Sequence, residues 1–377
     1  MEESIEIVEI KSISDYKKFV NFQFKLYSDN RYWIPPIINE EIDTINPNKN
    51  PVYKNSNAKF YLAYRNKKIV GRIAAIINWL EIKQIKKNKV RFGWFDFIDD
   101  ISVSKALLNT VEAFGKKNGL EKIEGPMGFS NLDKAGMLIE GFNEMGTMIT
   151  LYNYPYYPKH LKKHGYKKEA VWIEYEIKIA SSENAPGKIK KFSNLILKRY
   201  NLKALNFKKK NQILPYVDQM FKLLDSTYNS LQTYVPIQDY QIKHYKEKYL
   251  RYISPDLIKC VVDKDNDLIG FVIIMPSYAK ALRKVNGRLF PFGFLYLLKA
   301  SFYYDKASFY LIGIRQDFQN KGITAILFNE IQKTFNKRNI SIVETNPELE
   351  ENIAIQNNWK NYKNRVHKRR ATFSKKL

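Results

Sequence analysis

The residues best suited to chemistry lie in YLIGIRQDFQNKGIT (310–324), where an apolar stretch is followed by a polar loop and then by an amphipathic stretch. This pattern predicts a strand, a loop and the start of a helix. The first backbone N–H groups of a helix lack partners within it, and the helix dipole places partial positive charge there, so the junction suits a phosphate anion. Gly322 would allow a ligand to approach the backbone closely, and Lys321 would add positive charge.

The loop resembles the acetyl-CoA-binding motif of the GNAT superfamily of N-acyltransferases, which reads Q/R-x-x-G-x-G/A between a strand and a helix. Gln319 and Gly322 match this motif, whereas Thr324 replaces its last small residue and would crowd that position. The resemblance implies that acetyl-CoA or another acyl-CoA is the co-substrate and that no metal is needed. The residues implied to bind it are Ile312, Ile314, Gln319, Asn320, Lys321, Gly322, Ile323 and Thr324.

A second resemblance lies in PELEENIAIQNNWKNY (347–362), which is predicted to form one helix starting at Pro347. GNAT proteins often have an asparagine here, implied at Asn352 to contact the pantetheine arm, and a tyrosine seven residues later that protonates the leaving thiolate. Trp359 occupies that later position, and an indole cannot act as the acid. Tyr362 is therefore the candidate acid. The alternatives are that a water molecule acts as the acid, or that the rings of Trp359 and Tyr362 only pack in the core.

The chemistry that the resemblance implies is attack by an amine on a thioester, which requires a neutral amine and hence a base. Glu344, at the end of ISIVET (340–345), is the candidate base, and a structural cap or ion pair is the alternative role for its carboxylate. A backbone N–H near Ile312 to Ile314 would polarise the thioester carbonyl.

The acceptor is predicted to be a small-molecule or peptide amine, recognised by an irregular lining made of a stretch rich in Gly, Met and Phe (125–146) and of YNYPYYP (152–158). Its polar candidates for binding a cationic substrate are Asp133, Glu140 and Tyr156. The alternative is that this segment is a packed loop without a substrate.

The order of apolar stretches predicts an α/β fold with a mixed sheet, arranged as two tandem GNAT-like units. The second half reads as strand, helices, hairpin, strand, helix, strand, and the first half repeats this order. SSENAPGK (181–188) is the predicted linker, which gives domains at 1–180 and 181–377. In the first domain Asp99 and Asp100 would repel a pyrophosphate, so that domain is predicted to be a degenerate copy.

Composition limits the remaining possibilities. The single cysteine, Cys260, excludes an intramolecular disulfide and favours a reducing, cytoplasmic location. The apolar run at 288–304 is too short to span a membrane. Its first part, 288–298, is predicted to be a buried helix, with an acyl channel or contact with a membrane surface as alternatives.

The chain carries 63 basic and 38 acidic residues, a formal net charge of +25. The excess is diffuse, so a solvated lysine-rich surface is favoured over nucleic-acid binding. Two alternatives to the acyltransferase stay open: a non-catalytic module that senses coenzyme A or binds a partner, and a tRNA-linked transferase. The oligomeric state is not indicated by the sequence.

Overall fold

The computed structural model describes residues 4–130, 132–181, 187–228, 234–249 and 252–377, so most of the predicted linker lies outside the described residues. The elements up to the middle of the chain are β1 (Glu6–Glu9), α1 (Ile13–Leu26), α2 (Ile38–Ile45), β2 (Ser56–Arg65), β3 (Lys68–Asn78), α3 (Trp79–Ile85), β4 (Lys89–Phe97), α4 (Ile101–Lys117), β5 (Lys122–Gly125), β6 (Met137–Glu140), α5 (Tyr156–Lys163) and β7 (Lys167–Lys178).

The second half continues the alternation of strands and helices. Its elements are α6 (Gly187–Arg199), β8 (Lys203–Asn206), α7 (Leu214–Tyr228), α8 (Asp239–Tyr249), β9 (Ile258–Val262), β10 (Leu268–Pro276), α9 (Ala279–Val285), α10 (Gly293–Phe302), β11 (Lys306–Ile314), α11 (Ile323–Lys337), β12 (Ile342–Glu344), β13 (Glu348–Leu349), α12 (Ile353–Gln356) and β14 (Lys363–Lys376).

The chain forms two compact units. Unit 1 consists of residues Met1–Trp172, Ala279–Tyr296 and Lys368–Leu377, and unit 2 consists of Ile173–Tyr278 and Leu297–His367. The predicted domain boundary after residue 180 stays a prediction. The mixed sheets and the helices that cover them confirm the predicted α/β class.

Unit 1 has a sheet in the order β1-β2-β3-β4-β5, with β4 and β5 parallel and the other neighbours antiparallel. Alternate residues of β2 enter two cores: Phe60 and Leu62 pack with α1, while Tyr61 and Ala63 pack with α4. A sheet covered on both faces accounts for the nearly continuous apolar sequence of β3.

The last residues of the chain complete unit 1. The end of β14 pairs antiparallel with β5, with Phe373 opposite Gly125 and Lys375 opposite Ile123. Phe373 and Ala371 are buried in the same core as α4. A strand from the far end of the sequence is therefore part of the first unit's core.

Unit 2 has a sheet in which β11 lies between β10 and β12, and β10 is followed by β9 and β8. The strands β11 and β12 are parallel, as expected for a strand–helix–strand connection. The intervening helix α11 buries Ile323, Leu327, Ile331 and Phe335, whose spacing of four residues keeps them on one helix face.

Two predicted helices differ from the structure. Residues 347–362 do not form one helix: β13 is followed by the single turn of α12 and a 3-10 turn at Asn357–Asn361, so that prediction is wrong. The Trp359 indole N–H donates to the buried Glu348 carboxyl, and this contact draws the two ends of the segment together. Tyr362 consequently follows in extended conformation instead of lying one helical turn beyond Trp359.

The prediction of a buried helix at 288–298 is also wrong, because most large apolar side chains of this stretch are exposed. Among the helices that the structure describes, none combines the length and the apolar character needed to cross a bilayer.

We predict that Phe373→Ala lowers the stability of unit 1 by about 3–5 kcal/mol, because it leaves a cavity in the core. The exposed neighbour Lys376 provides the control, since Lys376→Ala should change stability by less than about 0.5 kcal/mol. Denaturant unfolding measures the loss, and amide exchange in β5 locates it. Unchanged exchange in β5 of Phe373→Ala would contradict the role given to the last strand.

Candidate functional site

The central feature of unit 2 is a gap between two parallel strands. The strand β11 pairs with β12 only over Lys306–Ser308, opposite Ile342–Glu344. On its other side β11 stays paired with β10 as far as Ile314. The edge of β11 that faced β12 is therefore left without a strand partner beyond Ser308.

Backbone groups of β11 point into this gap. The N–H of Arg315 donates to the carbonyl of Ile269 on the β10 side (2.8 Å). Because these directions alternate along a strand, Ile312 and Ile314 direct their N–H groups to the opposite edge. Among the described residues, the N–H of Ile314 has no acceptor, whereas that of Ile312 faces the hydroxyl oxygen of Tyr228.

The carbonyl groups along the same edge are each met by a side chain. These contacts are Asn346 Nδ2 to the oxygen of Tyr310 (3.0 Å), Tyr228 Oη to that of Ile312 (3.4 Å) and Gln319 Nε2 to that of Ile314 (3.4 Å). The acceptors of the edge are thus satisfied, while the N–H of Ile314 has no acceptor among the described residues. The gap is therefore suited to a ligand that carries a carbonyl oxygen.

The helix α11 starts next to this edge. Gly322 precedes it at φ 83° and Asn320 lies at φ 59°, both in the left-handed region that favours glycine and tolerates asparagine. No side chain caps the helix, and in the described part of the chain the N–H groups of Gly322, Ile323 and Thr324 have no acceptor. These donors suit a phosphate oxygen.

Gly322 is also required by packing. A Cβ atom at this position would lie 2.8 Å from Cε1 of Phe192 on α6. Its positive φ would strain any other residue as well, so both constraints favour glycine. The glycine of the motif therefore shapes the loop and lets α6 lie against it.

Two cations lie on aromatic rings beside the loop. Lys321 Nζ is 5.1 Å from the ring centre of Phe318 and 5.6 Å from that of Tyr200. The guanidinium of Arg199 lies 5.4 Å from the same Tyr200 ring. Positive charge held in this way next to a helix N-terminus favours a polyphosphate. The sequence prediction missed Arg199 and Tyr200 because they precede the loop by more than a hundred residues.

A buried carboxyl group lies in the same unit. Both oxygens of Glu348 accept from the indole N–H of Trp359, at 2.9 and 3.1 Å. Burial raises the pKa of Glu348 to about 8, although the hydrogen bond from Trp359 acts in the opposite direction. A carboxyl with this pKa can exchange a proton near neutral pH. The sequence prediction missed Glu348, whose only signal was its place in an acidic segment.

Tyr228 connects this carboxyl to the gap. Its hydroxyl donates to the carbonyl of Ile312 (3.4 Å). Burial raises the pKa of Tyr228 to about 12, and the nearby charge of Glu348 adds to the increase. Tyr228 and Glu348 are thus close to one another and to the open edge of β11. Tyr228 was also missed, because it ends α7, about eighty residues before the loop.

The predicted catalytic residues occupy other positions. Glu344 is the last paired residue of β12 and is buried, with its Oε2 3.8 Å from His367 Nε2. Tyr362 packs edge-on against Phe328, with ring centres 6.4 Å apart, and burial raises its pKa to about 12. Their catalytic roles stay predictions.

Asn352 caps the short helix α12, where its Oδ1 accepts from the N–H of Ile355 (3.4 Å). A cavity of about 260 Å³ lies next to this turn, and Trp359, Gln356 and Tyr175 are among the residues that line it. The predicted contact of Asn352 with a pantetheine arm stays a prediction.

The predicted acceptor residues all belong to unit 1. Each has its own partner: Asp133 accepts from the N–H of Ser130 (2.9 Å), Glu140 pairs with Arg369 (3.2 Å), and Tyr156 donates to the carbonyl of Phe97 (2.5 Å). In the described ranges no contact joins the three to one another. Their role in acceptor binding stays a prediction.

The corresponding strand–helix junction of unit 1 has different chemistry. The carboxylate of Asp100 accepts from the N–H groups of Ser102 (2.8 Å) and Val103 (3.4 Å) at the start of α4. Hydrogen bonds from Arg65 and then Ser102 hold the pKa of Asp100 well below its usual range. The donors that would bind a phosphate are therefore occupied by a side chain of the protein. That the first copy is degenerate stays a prediction.

Comparison with known proteins identifies similar chains, although no family model matches. Protein YghO of Escherichia coli (strain K12) is 27% identical over 371 residues, which cover 97% of this chain and 93% of YghO. Bacterial ceramide synthase of Caulobacter vibrioides is 22% identical over 299 residues, which cover 78% of this chain and 76% of that protein.

Solved structures match the whole chain. A tandem GNAT protein from the clavulanic acid biosynthesis pathway has a TM-score of 0.55 at 8% identity, covering 99% of this chain and 98% of that one. A GCN5-related N-acetyltransferase from Sphaerobacter thermophilus has a TM-score of 0.52 at 8% identity, covering 99% and 95%. At such identities the likeness is one of fold. The chain therefore has a tandem GNAT-like fold, as the loop motif and the order of elements predicted.

Proposed function

We propose that the protein transfers an acyl group from an acyl-CoA to an amine, and that unit 2 binds the acyl-CoA. The observation that carries the proposal is the open edge of β11, where Ile312 and Ile314 direct their N–H groups into the gap and that of Ile314 has no acceptor among the described residues. The uncapped start of α11, with Lys321 beside it, would hold the pyrophosphate. The same unit thus offers donors for a carbonyl and for a phosphate.

The proposed reaction is direct transfer. The amine nitrogen attacks the thioester carbon, a C–N bond forms, the C–S bond breaks, and the thiolate leaves and is protonated. The N–H groups at the gap would stabilise the negative charge that develops on the carbonyl oxygen. Glu348 would accept the proton of the amine, and Tyr228 would donate one to the thiolate.

The proposed acceptor is a long-chain amine. The relative from Caulobacter vibrioides is named a bacterial ceramide synthase, and a ceramide is the N-acyl amide of a long-chain amino alcohol. A panel of amines with purified protein and acyl-CoA tests this step, with release of free thiol and the mass of the amide as readouts. Acylation of polyamines or peptides in preference to sphinganine would contradict it.

A second candidate is a coenzyme A-binding module without catalysis. It is favoured by Trp359, which stands where the motif has a tyrosine and whose N–H is directed to Glu348. Binding of acetyl-CoA without transfer to any amine of the panel would support this alternative.

We predict that Thr324→Glu weakens acyl-CoA binding by at least about tenfold, which corresponds to about 1.4 kcal/mol. The new carboxylate would lie in the first turn of α11, where it repels phosphate but favours the helix. Thr324→Gln is the matched control, since it has similar size without the charge. Calorimetry measures both affinities. Equal losses of affinity in the two variants would contradict a phosphate at this position, because side-chain size alone would then explain them.

We predict that Glu348→Gln lowers kcat by about 100-fold or more while the affinity for acyl-CoA is retained, because the base is lost. Glu344→Gln is the comparison, because Glu344 is the base predicted from the sequence alone. Steady-state kinetics with the best amine distinguish the two. A large loss in Glu344→Gln with little effect in Glu348→Gln would transfer the role of base to Glu344.

We predict a pH dependence of stability from the raised pKa of Glu348. The pKa of Glu348 in the folded protein, about 8, lies above the ordinary carboxyl value of 4.5. The contribution of this group to stability is therefore fully present below pH 4.5 and is lost as the pH rises to about 8. Relative to Glu348→Gln, the wild type should lose about 1.4 kcal/mol per pH unit within that window. Parallel stability curves of the two proteins from pH 5 to pH 8 would contradict the raised pKa.

A further inference from the structure

Residues 288–304, here called the aromatic segment, expose an unusual amount of apolar surface. Phe290, Phe292, Phe302 and Tyr303 are 74%, 71%, 64% and 78% exposed. Phe294, Leu295, Tyr296 and Leu298 are also exposed. Contiguous apolar patches of this kind are rare on soluble proteins and mark surfaces that bind a partner or a membrane.

The helix α10 carries apolar side chains on the face that is exposed to solvent. Leu297 is the buried residue of α10, whereas Leu295, Lys299 and Phe302 share the opposite face with spacings of four and three. A helix that faces solvent has polar residues there. The outer face of α10 is thus adapted to an apolar environment that accommodates one lysine.

The turn before α10 has a defined backbone conformation. Phe294 donates its N–H to the carbonyl of Leu289 (2.8 Å), and the rings of Phe290 and Phe294 lie 6.3 Å apart. A Cβ on Gly293 would come within 1.9 Å of the carbonyl oxygen of Arg288, so this turn requires glycine. The turn therefore holds the phenylalanines in a defined arrangement although they are exposed.

The charged residues of the sequence within and before the segment have one sign. Between Asp267 and Asp305 the sequence contains no acidic residue. The same stretch contains the basic residues Lys280, Arg283, Lys284, Arg288 and Lys299. Lys284 Nζ lies 4.7 Å from the ring centre of Tyr296, so basic and aromatic groups meet at this surface. An anionic partner is complementary to it.

We propose that the aromatic segment docks on the surface of an anionic lipid bilayer. The rings and leucines would enter the boundary between headgroups and acyl chains, with the lysines and arginines among the lipid phosphates. The ten-residue helix α10 is too short to cross a bilayer and would lie in its plane. This inference does not depend on acyl transfer, because it uses none of the residues at the gap of unit 2.

The test is co-sedimentation of the full-length protein with vesicles. We use phosphatidylcholine vesicles with and without about 30% phosphatidylglycerol, at low salt and at about 0.5 M salt. The variant is Phe290→Ser/Phe302→Ser/Tyr303→Ser. The control is Ile13→Ser/Leu214→Ser, which removes apolar side chains that are also exposed, each by 52%, at other positions.

The expected result is binding to the anionic vesicles at least about tenfold tighter than to the neutral ones, weakened by salt. The triple variant should lose most of this binding, and the control should keep it, with circular dichroism and thermal unfolding unchanged for both. Failure of the wild type to sediment, or equal binding by the triple variant, would overturn the proposal. So would a dimer of the wild type without vesicles that the triple variant abolishes, because a second copy would then cover the segment.

Discussion

The site depends on one constraint, the early separation of β12 from β11. On its other edge β12 keeps its register with β7 past Glu344: the N–H of Thr345 donates to the Tyr175 carbonyl, and the Thr345 hydroxyl accepts from the Tyr175 N–H. Asn346 then extends its amide to the Tyr310 carbonyl. The chain thus follows β7 past Glu344, and the Asn346 side chain, not a strand, meets the facing edge of β11, whose polar backbone groups are left at a gap.

The two units show how similar local geometry can carry different chemistry. At the start of α11 the N–H groups are uncapped, and Lys321 lies nearby. At the start of α4 the carboxylate of Asp100 takes the corresponding donors and is paired with Arg65. A negative side chain in that position stabilises the helix and competes with any phosphate. The two junctions thus differ in whether a carboxylate caps the helix and in the cations beside it.

Local sequence patterns were sufficient to predict the fold class and the loop before α11. A glycine-containing turn and helical periodicity are each encoded by residues that are neighbours in the sequence. Glu348, Tyr228 and Arg199 could not be found in this way, since only packing brings residues so distant in sequence to one unit. The helix predicted at 347–362 failed because a buried contact between Glu348 and Trp359 overrode local propensity. For the same reason, the place of Phe373 in the first core was not evident.

The central claim is that acyl-CoA binds unit 2 at the gap and at the start of α11. Amide hydrogen exchange of the wild-type protein with and without acetyl-CoA tests it most directly, because the unpaired N–H groups are themselves the reporters. We predict slower exchange at residues 312–325 and no change at 97–105, the corresponding junction of unit 1. Protection at 97–105, or at neither junction despite saturating acetyl-CoA, would contradict the account.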